Sequence, residues 1–126
     1  MLQVGGMRDY HRLEIWRRAH ALAMRIHRIA RGFRGREFAS LRAQLTRAAD
    51  SIAANIVEGC AAESNPEFAR FLSISIKSTA ETEYHLLSAR DQDALDDEKW
   101  LPLSNEAVEI RRMTYAYRRS LLDEKD

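Results

Sequence analysis

The sequence predicts an all-α protein, folded as an antiparallel up-down four-helix bundle. Three observations carry this prediction: four apolar stripes with alternating three- and four-residue spacing, short connections between them, and no alternating strand-like segment. The stripes place helices near residues 11–31, 36–60, 66–91 and 97–122 in a single domain spanning 1–126, after an N-terminal extension over 1–9. Met7 is an alternative start of the chain proper.

The first stripe runs Ile15, Ala19, Leu22, Ile26, Ile29 and Phe33, one face of a helix that Gly32 and Gly35 close. The second reads Leu41, Leu45, Ala48, Ile52 and Ile56 and stops at Gly59. Before the third, Ser64 or Asn65 supplies a cap and Pro66 fits the first helical position. Its stripe is Phe68, Leu72, Ser75, Thr79, Thr82 and Leu86. The fourth is the cleanest: Trp100, Leu103, Ala107, Ile110, Thr114, Tyr117 and Leu121. Asp96 is one candidate cap for it, but Pro102 would then sit in the second turn, which leaves Ser104 as an alternative.

Two helices carry apolar residues beyond their stripes. In the third, Phe71 and Ile74 fall to one side of the core line and Tyr84 nearly opposite it. In the second, Ala49, Ala53, Ala54 and Val57 make the helix apolar almost all round, a pattern of burial on two sides. The expectation is that a second subunit covers these faces.

Composition narrows the function classes. The chain has 126 residues, 45% hydrophobic and 31% charged, and one cysteine. A lone Cys60 makes no internal disulfide, no apolar run is long enough to span a bilayer, and no signal-peptide core follows the first residue, so a cytoplasmic protein is expected. The net charge of +1 hides a split. Residues 1–47 hold 11 arginines and three acids, a net of +8, while the remainder nets −7. Such a division fits a polyanion-binding face or a polar subunit whose basic half meets a neighbour's acidic half.

The candidate nucleic-acid-binding set is Arg17, Arg18, Arg25, Arg28, Arg31, Arg34 and Arg36. Arg17, Arg28 and Arg31 lie opposite the first helix's core line, Arg18 and Arg25 on one flank, and Arg34 and Arg36 continue into the following turn. Guanidinium forks take phosphate in a bidentate manner, so RNA or DNA is the polyanion in view. No helix-turn-helix spacing, zinc finger or aromatic stacking platform accompanies them.

Enzyme chemistry finds little support. Gln44, Arg47, Ser51, Asn55 and Glu58 form a polar stripe at the edge of the second helix's core face. No histidine or lysine is near in sequence to act as base, and no elbow glycines flank Ser51. The stripe is read as a structural network or subunit contact. His20 and His27 stand two turns apart, too far for one metal ion, and join Trp16 in a boundary stripe. The acids from Asp91 to Glu98 lack a calcium-loop pattern and mark a turn and a helix start. Glu81 and Glu83 of the third helix are placed to face arginines of a neighbour. No phosphate-loop glycines and no cofactor motif occur.

One long run of residues resembles a known family. Leu13-Glu14-Ile15-Trp16 with Ala19, then Phe33, Glu37, Leu41 and Gln44 to Ala48, lead into Ser51-Ile52-Ala53-Ala54-Asn55-Ile56-Val57-Glu58-Gly59. Glu67 to Leu72 and Ser78 to Glu81 continue the likeness. These resemble the bacterial four-helix bundle proteins encoded by intervening sequences of 23S rRNA genes. The resemblance implies a left-handed bundle, a homopentamer, no established enzymatic activity, and a nucleic-acid role that is inferred for the family. Accessory variability proteins of diversity-generating retroelements are similar, which adds a reverse transcriptase to the partners implied. Departures occur at Phe33-Arg34, where Phe-Pro is frequent, and at Ser40-Leu41, where Gly-Leu is common. Cys60-Ala61-Ala62-Glu63 lacks a usual basic residue, and Lys77-Ser78 replaces Gly-Ser.

Overall fold

A computed structural model of the chain describes residues 3–4 and 6–124. Four helices account for most of it: α1 (Glu14–Ala30), α2 (Ala39–Cys60), α3 (Asn65–Asp91) and α4 (Asp97–Asp123). Hydrogen-bonded partners run in opposite order along α2 and α3 and along α3 and α4, so these two connections reverse direction. Ile52 meets Ser75 and Ser51 meets Ser78 between α2 and α3; Glu83 meets Arg111 and Ser73 meets Arg118 between α3 and α4.

The helix ends depart from the expected boundaries for local reasons. The N-terminal extension is structured: β1 (Gln3–Val4) and β2 (Met7–Arg8) form a two-stranded antiparallel ladder, with Gly6 at φ +86° in the turn. Asp9 then caps a short 3-10 turn at Tyr10–Arg12, accepting from the His11 N–H at 3.1 Å. Leu13 is extended, so α1 starts three residues later than expected. Gly35 sits at φ +102°, in the region that favours glycine, and a 3-10 turn at Arg36–Phe38 precedes α2. Arg42 ties this corner down by donating to the Phe33 and Gly35 carbonyls.

Both proline-bearing helices keep their length. Ser64 is the cap of α3, its Oγ accepting from the Glu67 N–H, while Asn65 is the first helical residue and buried. Asp96 caps α4 by accepting from the Lys99 N–H at 2.9 Å, and Pro102 is accommodated inside the helix. The carbonyl that Pro102 leaves without its i−4 helix donor belongs to Glu98, an exposed residue. Ser104, the alternative cap, is buried in the helix.

The core follows the stripes. Leu22, Ile26, Leu45, Ile52, Ile56, Phe68, Leu72, Leu86, Leu103 and Ile110 are fully buried, whereas Ile29, Trp100 and Tyr117 sit at its edge. Four buried hydroxyls of α3 and α4 bond a carbonyl: Ser75 to Ile52, Thr79 to Ile76, Thr82 to Ser78 and Thr114 to Ile110, at 2.6–2.8 Å. Gly59 lets α2 approach α3 closely, since a Cβ there would stand 2.4 Å from Phe68 Cδ1.

Much of the apolar breadth of α2 has an intrachain cause. The helix lies between α1 and α3, so Ala49 and Ala53 are buried by the chain itself and only Ala54 is exposed. Lys77, one of the departures, points outward while Ser78 makes the close helix contact.

Candidate functional site

The arginines of the basic half separate into two groups. Arg18 is bound within the chain: its Nε and Nη2 donate to the two carboxylate oxygens of Glu106 on α4 at 2.9 and 2.7 Å. Its Nη1 also reaches Met113 Sδ at 3.3 Å, and the Glu106 carboxylate holds its guanidinium more firmly charged than usual. Arg17 donates to the His11 carbonyl at 2.8 Å and braces the turn before α1. The side chains of Arg25, Arg28, Arg31, Arg34 and Arg36 are exposed and make no ion pair or hydrogen bond with another described residue. Helical periodicity aligns Arg17, Arg28 and Arg31 outward on α1, and the turn after it adds Arg34 and Arg36. Apart from Arg17, the guanidinium groups of this ridge are unpaired among the described residues.

The polar stripe of α2 lines a second site. Gln44, Arg47 and Ser51 face Ser78, Glu81 and His85 of α3 across an open groove of about 450 Å³. Ser78 Oγ donates to Ser51 Oγ at 2.8 Å, and Asn55 Nδ2 donates to Ser51 Oγ at 3.0 Å and to its carbonyl at 2.9 Å. Ser51 is thus a junction in a hydrogen-bonded chain linking the two helices. Among the described residues it has no histidine or carboxylate partner, which separates it from an activated nucleophile. Glu58 lies one turn further on, exposed and outside the groove. Glu83 pairs with Arg111 of its own chain at 2.8 Å rather than awaiting a neighbour.

Histidines and the cysteine have structural settings. His27 Nε2 lies 2.9 Å from Asp50 Oδ1, tying α1 to α2. Cys60 is buried, and desolvation raises its thiol to about 11, so it stays protonated at neutral pH. No group of three or more His, Cys, Asp or Glu residues able to hold a metal occurs among the described residues. No described helix is long and apolar enough to cross a membrane.

Two features go beyond the sequence reading, which had marked only Trp16 and His20 of the first and Ile74 and Tyr84 of the second. Tyr10 and His11 join Trp16 and His20 in a cluster of rings at the start of α1. The signal for Tyr10 and His11 was absent because a turn, not a helix, places them. The second feature is apolar. All six exposed large hydrophobic residues among those described lie on α3 and α4: Ile74, Tyr84, Leu101, Val108, Tyr115 and Leu122, at 39–64% exposure. The last four recur every seven residues along α4, a periodicity that was visible in the sequence but lies beside the core stripe.

The fold and these surfaces define an all-α bundle whose distinguishing chemistry is external: a basic ridge on α1, a polar groove between α2 and α3, and an apolar strip along α4. The chain belongs to the 23S rRNA-intervening sequence protein family, whose profile matches residues 11–116. It is similar to a solved protein of unknown function from the S23 ribosomal protein family of Bacteroides thetaiotaomicron. That similarity amounts to 25% identity and a TM-score of 0.77, over 82% of this chain and 97% of the other. None of the curated proteins matches the chain.

Proposed function

We propose that this protein is a non-catalytic, self-associating helical module that binds RNA through the arginine ridge of α1 and the turn that follows. The observation that carries the reading is the lack of an internal partner for Arg25, Arg28, Arg31, Arg34 and Arg36. Unpaired guanidinium groups on one face repel each other, and a phosphate backbone relieves that repulsion while releasing counterions. Arg17 borders the ridge; Arg18 stands apart from it because Glu106 already neutralises its charge.

Self-association draws on a different helix, α4, which packs beside α1. A strip of Leu101, Val108, Tyr115 and Leu122 with seven-residue spacing is the pattern of a helix seam, and exposed apolar strips of this kind mark protein contacts. The homopentamer implied by the sequence resemblance is the assembly we propose.

Titration of single-stranded and duplex RNA and DNA against salt is the test. Affinity should fall linearly with salt on logarithmic axes, with a slope of roughly −0.7 per phosphate neutralised on a single strand. Absence of binding at low salt would overturn the reading in favour of a protein-protein adapter, to which a reverse transcriptase is one candidate partner.

A further inference from the structure

The ring cluster before and within α1 has a geometry that burial alone does not require. His11 lies on Tyr10 with ring centres 4.2 Å apart and planes 26° from parallel. One turn of α1 sets His20 on Trp16 at 5.1 Å, the planes within 6° of parallel. The two stacks meet at a corner, where Tyr10 and His11 both present themselves edge-on to Trp16 at 4.9 and 5.3 Å. In each stack the inner ring is half-buried against the core and the outer ring is an exposed imidazole.

The cluster is held in place before any ligand arrives. Asp9 accepts from the His11 backbone N–H and lies 2.8 Å from its ring Nδ1, while Arg17 clamps the His11 carbonyl. The His11 contact keeps the Asp9 carboxyl below its usual range, so the acid beside the platform is already engaged. Glu14, the other nearby acid, lies 3.9 Å from Arg18. Fixed aromatic faces cost little ordering entropy on binding.

We propose that this corner is a base-stacking site: unstacked bases of a single-stranded nucleic acid extend the two stacks over His11 and His20 while the backbone follows the arginines of α1. The inference rests on the polyanion reading above and adds to it the ligand's form, single-stranded rather than duplex. Its physical basis is the pairing of a cationic track with ring faces, which is how single strands are held without sequence readout. A duplex keeps its bases stacked on one another and offers none to the platform.

The test uses the whole chain and two probes, an oligouridylate of about ten nucleotides and an abasic phosphodiester of equal length. Binding is read by affinity and by proton NMR of the His11 and His20 rings and the Trp16 indole. The expected result is an upfield ring-current shift of these protons with the oligouridylate and none with the abasic strand. His20→Ala and His11→Ala, both exposed positions, should weaken oligouridylate binding about five-fold each and leave abasic binding unchanged. Equal binding of the two probes with no ring shifts would overturn the stacking site while leaving the arginine ridge intact. Binding of neither probe at low salt would remove both. Concentration-dependent ring shifts without any nucleic acid would assign the platform to a protein contact instead, and so also overturn it.

Discussion

Replacing Arg18 and Arg28 separately by alanine distinguishes a structural arginine from a free one. Both belong to α1, ten residues apart, and composition treats them alike. Arg18 forms two hydrogen bonds with Glu106, at 2.9 and 2.7 Å, and the two side chains are 33% and 22% exposed. An exposed pair contributes at most about 1 kcal/mol, whereas orphaning a fully buried partner costs roughly 3–5 kcal/mol. At this intermediate exposure, with bidentate geometry, Arg18→Ala should lose about 1.5 kcal/mol, or a Tm decrease of about 5 °C for a chain of this size. Arg28→Ala removes an exposed side chain with no partner and should stay within about 0.5 kcal/mol of the parent. Urea and thermal unfolding followed by circular dichroism, at fixed protein concentration, provide the assay. Glu106→Ala and the double variant complete a cycle whose coupling term isolates the pair. Equal stability of the two single variants, or a coupling term of zero, refutes the division. The nucleic-acid readout should invert: Arg28→Ala lowers the salt slope by about 0.7, and Arg18→Ala leaves it unchanged.

Other outcomes follow from features of the packing and surfaces. Gly59→Ala should destabilise the fold by about 1–2 kcal/mol in urea unfolding. Its Cβ would meet Phe68 Cδ1 at 2.4 Å, an overpacking penalty larger than alanine's helix preference. Val108→Asp places a charge in the exposed strip of α4 and should shift sedimentation to the monomer while changing Tm by no more than a few degrees. Cys60 should resist thiol reagents in the native state and label rapidly in denaturant, because it is buried and its thiol is raised to about 11. The Asp9 carboxyl is lowered on folding, so its contribution is complete above the ordinary aspartate range and fades as pH falls through the lowered value. Asp9→Asn should abolish that acid-side dependence, read from the His11 ring signals.

What the sequence made legible was whatever depends on local periodicity. Leu41, Leu45, Ala48, Ile52 and Ile56 read as a stripe and are buried as one, because a rigid helix converts spacing directly into a face. The cap at Asp96 was also visible, though Pro102 left Ser104 as an alternative; the helix accommodates the proline in its second turn. Pairings across the bundle were not legible. Nothing near Arg18 announces Glu106, 88 positions away, and nothing near Ser51 announces Ser78. The ring platform was invisible for a different reason. It depends on the 3-10 turn at Tyr10–Arg12 and the extended Leu13, which reorient two side chains that helical counting would have placed elsewhere.

The amide of Asn65 touches two distant parts of the chain. Its Nδ2 donates to the Leu121 carbonyl at 3.1 Å and to Glu124 Oε2 at 2.9 Å, and its Oδ1 accepts from the Arg8 guanidinium, which also lies over the Phe68 ring at 5.0 Å. Segments near residues 8 and 124 therefore come together at a single side chain, on the same end of the molecule as the start of α3. A chain whose outer segments are already neighbours can be joined there and opened elsewhere with little change in its contacts. The turn at Gln92–Asp93, between α3 and α4 and at the far end, is the natural place to open it. In a permuted chain of that kind α1 would become an internal helix, and its arginines would be presented on an element continuous with α4 instead of on the first helix of the chain.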